Sequence, residues 1–264
     1  MSRASLKSVS RLIDIANDSA NVSIENQFLQ DLCRSIEMDA DKGWRIPSKT
    51  FKPSSMQCKR NSYYQLMGVE PDKGTSTHTM IGIVNSGSDA HERIQSAVSK
   101  MCENDMDCYY IDVEGFINDR EIKDVAVREK LGFETKLYNE KYNISFMCDG
   151  IIQYKKKYYI LEIKTETSSK WYSRTGVDKK HYNQAIAYSL SLGLNDVIFL
   201  YVDRDMSNKK AYMFTVTDEM RQGLVDYIED VRGYVNRQIA PPKDDVEKRV
   251  CQYCGYQTQC RKDG

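Results

Sequence analysis

The 264-residue sequence has no net charge, because 38 basic residues balance 38 acidic ones. No global positive field can therefore hold it on a polyanion. This disfavours a passive nucleic-acid-coating role more than an enzyme, whose contacts can be local and whose metal ions bring positive charge. Also absent is any apolar run near the roughly 20 residues needed to span a bilayer. Residues 1–20 (MSRASLKSVSRLIDIANDSA) lack the apolar block of a secretory signal. An intracellular protein without membrane contacts is expected, cytoplasmic and prokaryotic or phage-encoded. There is no internal repeat and no low-complexity tract. Eight cysteines without a secretory signal point to metal ligands or buried thiols rather than a disulfide scaffold.

With 41% hydrophobic residues the chain can bury a sizeable core, as one large domain or one domain with appendages. Leu6, Val9, Ile13 and Ala16 predict one amphipathic helix, and Ile24, Phe28, Leu32 and Ile36 a second, with a break over Asp18–Asn21. Residues 43–56 read as an extended linker, 58–68 as a short helix ended by Gly68, and 69–80 as a loop. A helix over 86–101, capped by Ser88 or Asp89, carries His91. Residues 108–118 fit a strand or a short helix. Alternation around Phe133, Thr135 and Leu137 predicts a strand bearing Glu134.

The stretch ISFMCDGIIQYKKKYYILEIKT (144–165) reads as two strands joined by a lysine turn, with Asp149 inside the first. In the second, Tyr158, Ile160 and Glu162 face one side and Tyr159, Leu161 and Ile163 the other, as in a central buried strand. Residues 165–180 read as a mobile polar loop. Their mixture of Lys170, Trp171, Tyr172, Arg174, Lys179 and Lys180 suits single-stranded nucleic acid, or an ordinary solvated loop. A helix over 181–194, strands over 196–205 and 210–217, and a long helix over 218–239 capped by Thr217 follow.

Asp149 and Glu162 are hard oxygen ligands of the kind Mg2+ and Mn2+ select. The Ile163 carbonyl is a third candidate ligand. Lys164, two residues after Glu162, emerges on the same face of the strand, where it can orient a water or stabilise developing charge. Such an arrangement is suited to phosphodiester hydrolysis. A second cluster, Cys251-x2-Cys254-x5-Cys260, has metal-binding spacing but is one thiolate short of a tetrahedral site, and Cys58 is a candidate for the fourth.

Gly87-x3-His91, Asp149, Glu162-Ile163-Lys164 and Gln184-x3-Tyr188 resemble, in order and spacing, the RecB-like nucleases of the PD-(D/E)XK superfamily, over roughly residues 55–262. Ile144–Cys148 lacks the glycine that family often has before the aspartate. The resemblance implies an α/β, restriction-endonuclease-like core with a mixed central sheet flanked by helices, over 51–240. A helical extension with linker (1–50) would precede it and a cysteine motif (241–264) would follow. It implies His91 as a further metal ligand, Gln184 and Tyr188 as substrate-positioning residues, and a match for Glu134 to an acidic residue often found before the aspartate.

One cysteine ahead of the core plus three at the C-terminus is similar to the iron–sulfur subgroup, which includes the CRISPR-associated RecB-like exonucleases. There four cysteines hold a [4Fe–4S] cluster that staples the chain ends, with zinc as the alternative occupant here. The implied activity is a Mg2+- or Mn2+-dependent DNA exonuclease on single-stranded ends, in recombination, replication or DNA-end processing. The implied partners are DNA, recombination or replication proteins, or a second copy of the chain. A non-catalytic nucleic-acid-binding module and an RNA-cleaving endonuclease are the alternative readings.

Overall fold

The computed structural model describes residues 23–41, 48–72 and 77–264. The first expected helix and residues 43–47 of the expected linker lie outside them. The elements, in chain order, are α1 (Ile24–Asp41), α2 (Lys59–Met67), α3 (His78–Ser99), β1 (Cys108–Ile111) and α4 (Val113–Asp119). Next come β2 (Val125–Leu131), β3 (Glu134–Asn139), β4 (Ile144–Cys148), β5 (Gly150–Tyr154) and β6 (Lys157–Glu166). Then follow α5 (Ser168–Ser173), α6 (Tyr182–Leu192), β7 (Asp196–Asp203), β8 (Lys209–Thr215), α7 (Asp218–Arg237), α8 (Lys248–Gln252) and α9 (Gln257–Lys262).

The chain divides into two units, Met1–Arg45 with Thr75–Val84, and Ile46–Gly74 with Asn85–Gly264. In the first, α1 leaves Ile24, Phe28 and Leu32 exposed, and Glu37 accepts a hydrogen bond from the His78 backbone N–H at 2.9 Å. The second holds both sheets and the cysteine segment.

Its five-stranded sheet runs β1-β5-β6-β7-β8, with β6 central and only β6 and β7 parallel. A parallel pair needs a crossover, and α5 and α6 supply it. Strand β6 is buried on both sides, as its apolar pattern predicts. Ile160 joins the large core with Phe199 and Ile228, while Leu161 and Ile163 pack with Ile94 and Val202 on the other face. This mixed sheet, with helices packed against it, is the α/β class expected from the sequence. A separate antiparallel sheet, β2-β3-β4, completes the architecture.

Several local expectations are corrected. Asp149 is not inside a strand: it is the one residue between β4, in the small sheet, and β5, in the large one. A continuous apolar run cannot reveal that the chain changes sheets within it. The described part of the expected linker is packed, because Phe51 is buried and exchanges backbone hydrogen bonds with Asn143 and Ser145 at 2.8 and 2.9 Å. Its prolines and serines mask two apolar anchors, Phe51 and Met56. Helix α3 starts at His78, not Ser88, and carries Gly82 and Gly87 in its interior. Residues 108–118 are strand β1 and then helix α4, whose Asp112 cap accepts from Gly115 N at 2.8 Å.

Strand β2 was not anticipated. The polar stretch 165–180 is no mobile loop, since it contains α5. Trp171 is buried and donates from Nε1 to the Tyr201 carbonyl at 3.0 Å. Helices α8 and α9 of the cysteine segment were not expected either, whereas α6, β7, β8 and α7 follow the expected pattern. Gly193 ends α6 with φ 69°, a left-handed conformation that glycine takes without steric cost, and Thr217 caps α7 by accepting from Met220 N.

Candidate metal centre

Three side chains from three elements converge beside the end of β4. His91 comes from α3, Glu134 opens β3, and Asp149 occupies the sheet-to-sheet crossing. His91 Nδ1 lies 3.3 Å from Asp149 Oδ1 and 3.5 Å from Glu134 Oε1. One ligand atom from each lies within 4.8 Å of the other two, a spacing one cation can bridge.

The backbone makes Asp149 rigid. Its carbonyl accepts from Gln95 Nε2 at 2.7 Å and from the Tyr110 hydroxyl at 2.6 Å. Its carboxylate Oδ2 accepts from Ile163 N at 2.7 Å, so the Ile163 amide orients the ligand. The Tyr110 hydroxyl also lies 3.0 Å from the Phe133 carbonyl, so its one proton is shared between the two carbonyls and ties the residue before Glu134 to the same point.

Glu162 stands beside this group on β6 and is 2% exposed. Its Oε1 is 2.5 Å from Lys164 Nζ, and its Oε2 is buried with no hydrogen-bond partner among the described residues. Burial, and then the Asp149 charge, push its pKa up to about 7. A buried carboxylate oxygen without a donor is costly unless a cation or proton meets it. His91 moves the opposite way. Burial opposes its charging, but hydrogen bonds to Asp149 and Glu134 raise its pKa to about 10. In this state an imidazolium neutralises part of the acidic cluster. His91, Glu134 and Asp149 together offer one imidazole and two carboxylates that could hold a metal ion, with Glu162 beside them.

Lys164 is held from the far side. Its ammonium donates to Gln184 Oε1 at 3.0 Å, Gln184 Nε2 donates to the Tyr188 hydroxyl at 3.2 Å, and Tyr188 donates to the Met147 carbonyl at 2.7 Å. Tyr188 is 2% exposed and stacks on Phe146 at 4.8 Å, and burial holds its hydroxyl pKa well above the usual phenol range. A chain of hydrogen bonds thus runs from β4 through α6 to β6.

All the expected residues of this cluster are therefore neighbours. Tyr110 and Gln95 were missed. Gln95 follows His91 by four positions, which places both on one helix face, so the helical period carried that signal. Tyr110 lay in the stretch whose element type its sequence left open.

The cysteine segment is drawn to α2. Cys58 occupies the N-cap position of that helix. Buried Arg60 donates to the Pro241 carbonyl at 2.6 Å, the Cys260 carbonyl at 3.0 Å and Cys260 Sγ at 3.5 Å. Cys254 Sγ accepts from Asn61 Nδ2 and from Tyr256 N, each at 3.4 Å. Tyr64 donates to Asp263 at 2.7 Å. Burial raises the pKa of Cys58 and Cys254. Their neighbouring thiols add to it, Cys254 for the first, Cys260 and Cys251 for the second. Among the described residues no three of these cysteine sulfurs lie within 4.8 Å of one another. By contrast, Cys148 Sγ is fully buried in the core beside Asp149, where burial raises its pKa.

No protein-family model matches the sequence, and no curated protein matches it. Among solved structures, that of SSO0001 is similar, with a TM-score of 0.47 and 14% identity, covering 88% of this chain and 96% of that one. LHK-Exo in complex with dAMP matches with a TM-score of 0.44 and 8% identity, over 72% of this chain and 89% of that one. Another structure of that alkaline exonuclease, from Laribacter hongkongensis, matches with a TM-score of 0.38 and 10% identity, over 73% and 90%.

Proposed function

We propose that the chain is a nuclease of restriction-endonuclease-like architecture that hydrolyses DNA phosphodiester bonds with Mg2+ or Mn2+, as an exonuclease on single-stranded ends. The observation that carries this reading is the orphaned, buried Glu162 Oε2 beside His91, Glu134 and Asp149, with Lys164 fixed alongside. Asp149, Glu162, His91 and the Ile163 carbonyl hold the ion, and Glu134 is positioned to share it. A bound divalent ion supplies charge for the phosphate oxygens, a more acidic water and relief for the leaving alkoxide.

The chain's own residues do the rest. The Lys164 ammonium holds a proton where a nucleophilic water or developing negative charge can meet it. Gln184 orients that ammonium and Tyr188 orients Gln184, so both act as positioning residues. The preference for DNA rests on the resemblance to iron–sulfur nucleases. In that reading Cys58, Cys251, Cys254 and Cys260 hold a [4Fe–4S] cluster, with Arg60 and Asn61 donating to its sulfur ligands, and zinc is the second candidate.

The test offers labelled single-stranded, duplex, circular and RNA substrates with Mn2+, Mg2+ or chelator. Metal-dependent shortening of linear single-stranded DNA is expected, lost in Asp149→Ala with the circular dichroism spectrum unchanged. Equal cleavage by that variant overturns the proposal. Protein purified without air is expected to be brown, with about four irons per chain. A colourless, zinc-loaded protein overturns the cluster assignment.

A further inference from the structure

A groove of about 820 Å3 opens in the second unit between the cysteine segment and the turn that precedes α6. Five cationic and three carboxylate side chains line it, and two carboxylates outside the lining, Asp230 and Glu166, pair with Lys59 at 2.6 Å and with Lys170 at 2.9 Å. Two of the three carboxylates are already engaged. Asp178 meets Lys170 at 3.2 Å and Lys180 at 3.6 Å, and Asp244 accepts from the Lys59 backbone N–H. Among the described residues, no carboxylate pairs with Lys179 on one wall or with Arg249 on the other.

The placement of the cations is informative. Lys179 and Lys180 stand at the N-terminal end of α6, where the helix dipole disfavours positive charge and favours an anion. Burial, and then the neighbouring Lys170, push the Lys180 ammonium below its usual pKa. Among the described residues Lys179 and Arg249 alone of the five cations have no carboxylate partner, and an anion from outside the chain can meet them. Tyr253, 68% exposed, adds a free aromatic face on the wall contributed by the cysteine segment.

The groove and the metal centre share helix α6, although no side chain of the metal centre lines the groove. Asn183 lines it and donates to the Met56 carbonyl at 2.6 Å, while Gln184, the next residue, holds Lys164. Buried His181 registers the cations of both places, since Lys164 and Lys180 each lower its pKa after burial has done so.

Resting on the nuclease reading, we propose that this groove carries the single strand to the metal centre. Lys179, Lys180 and Arg249 contact its phosphates, and a base stacks on Tyr253. The cysteine segment is then a wall of the substrate path as well as a staple. Alternating cations and an open aromatic face are what a single strand requires, because every base has a stacking face and every nucleotide a charge.

The full-length protein in chelator is titrated into a fluorescein-labelled oligo-dT, with anisotropy followed across salt concentrations. Lys179→Ala and Arg249→Ala are each expected to weaken binding and to flatten the slope of log K against log salt by about 0.7, the value for one single-strand phosphate. Tyr253→Ala is expected to weaken binding at least about fivefold without changing that slope. Hydrolysis of bis(p-nitrophenyl) phosphate by the wild type with Mn2+ reports on the metal centre separately from strand binding. Wild-type affinity and slope in both Lys179→Ala and Arg249→Ala overturn the proposal. So does displacement of the oligonucleotide by dTMP at equal phosphate concentration, which assigns the groove to a free nucleotide. A wild type that hydrolyses neither substrate, while the variants still lose binding, sinks the nuclease reading and leaves the groove standing.

Discussion

Glu162 and Glu166 lie four residues apart on the same face of β6, and both are buried, at 2% and 5% exposure. Their surroundings differ. Burial works to raise the pKa of Glu166, but hydrogen bonds from Arg174 and Lys170 outweigh it and hold the carboxyl below its usual range. Arg174 approaches with both Nε and Nη2 and lies 4.0 Å over the Tyr201 ring. Glu162 receives one ammonium on one oxygen and nothing on the other, and its pKa rises to about 7. One strand therefore carries a closed ion pair and an open one. The closed pair is a piece of structure. The open one is a ligand awaiting a cation.

The sharpest way to break this contrast is to open the closed pair. Arg174→Ala leaves Glu166 buried with only Lys170, and is expected to cost about 3–5 kcal/mol in urea unfolding. A cost below 1 kcal/mol would show that the pair is not structural. Lys164→Ala acts on chemistry instead. It is expected to lower kcat about 10²–10³-fold, the usual loss of a charge-stabilising donor, with stability little changed. Single-turnover cleavage with Mn2+ checks this.

Glu162→Gln should reverse the sign of the first effect. An acid whose folded pKa is raised binds its proton more tightly when folded, so wild-type stability falls as pH climbs from about 4.5 through 7. In chelator at pH 8 the variant is expected to be more stable than the wild type by about 1–3 kcal/mol. Mn2+ should raise the melting temperature of the wild type and not of the variant. The smallest effect concerns His181, whose pKa is pushed down to about 2 by burial and then by Lys164 and Lys180. Below pH 6.5 the unfolded chain takes a proton that the folded chain refuses. This component of stability is complete above 6.5 and is lost by about 1.4 kcal/mol per pH unit on acidification. Unfolding of wild type and His181→Phe at pH 7.5 and 5.0 isolates it.

The sequence made the β6 part of this legible and hid what surrounds it. A period of two put Glu162 and Lys164 on one face and Leu161 and Ile163 on the other, because a strand buried on both sides must be apolar on both. The helical period likewise placed Gln184 below Tyr188. Long-range pairing left no such trace. Nothing local distinguishes Glu166 from Glu162 until Arg174 folds back from beyond α5. Much of the polar look of 165–180 comes from ion pairs of Lys170, Arg174 and Lys180 with Glu166 and Asp178, and Lys179 stays outside them. Glycines inside α3 obscured its first turns, and Pro53 and its serines obscured the anchoring of Phe51.

The crossing at Asp149 carries one more consequence. A methyl group on Gly150 would stand 2.5 Å from the Tyr110 hydroxyl oxygen, closer than such atoms come. That hydroxyl is the same one that grips the Asp149 and Phe133 carbonyls. Anyone transplanting this centre to another scaffold must therefore move a backbone, not a set of acids. The portable unit is an Asp-Gly step under a tyrosine, with the carboxylates arriving as its dependants.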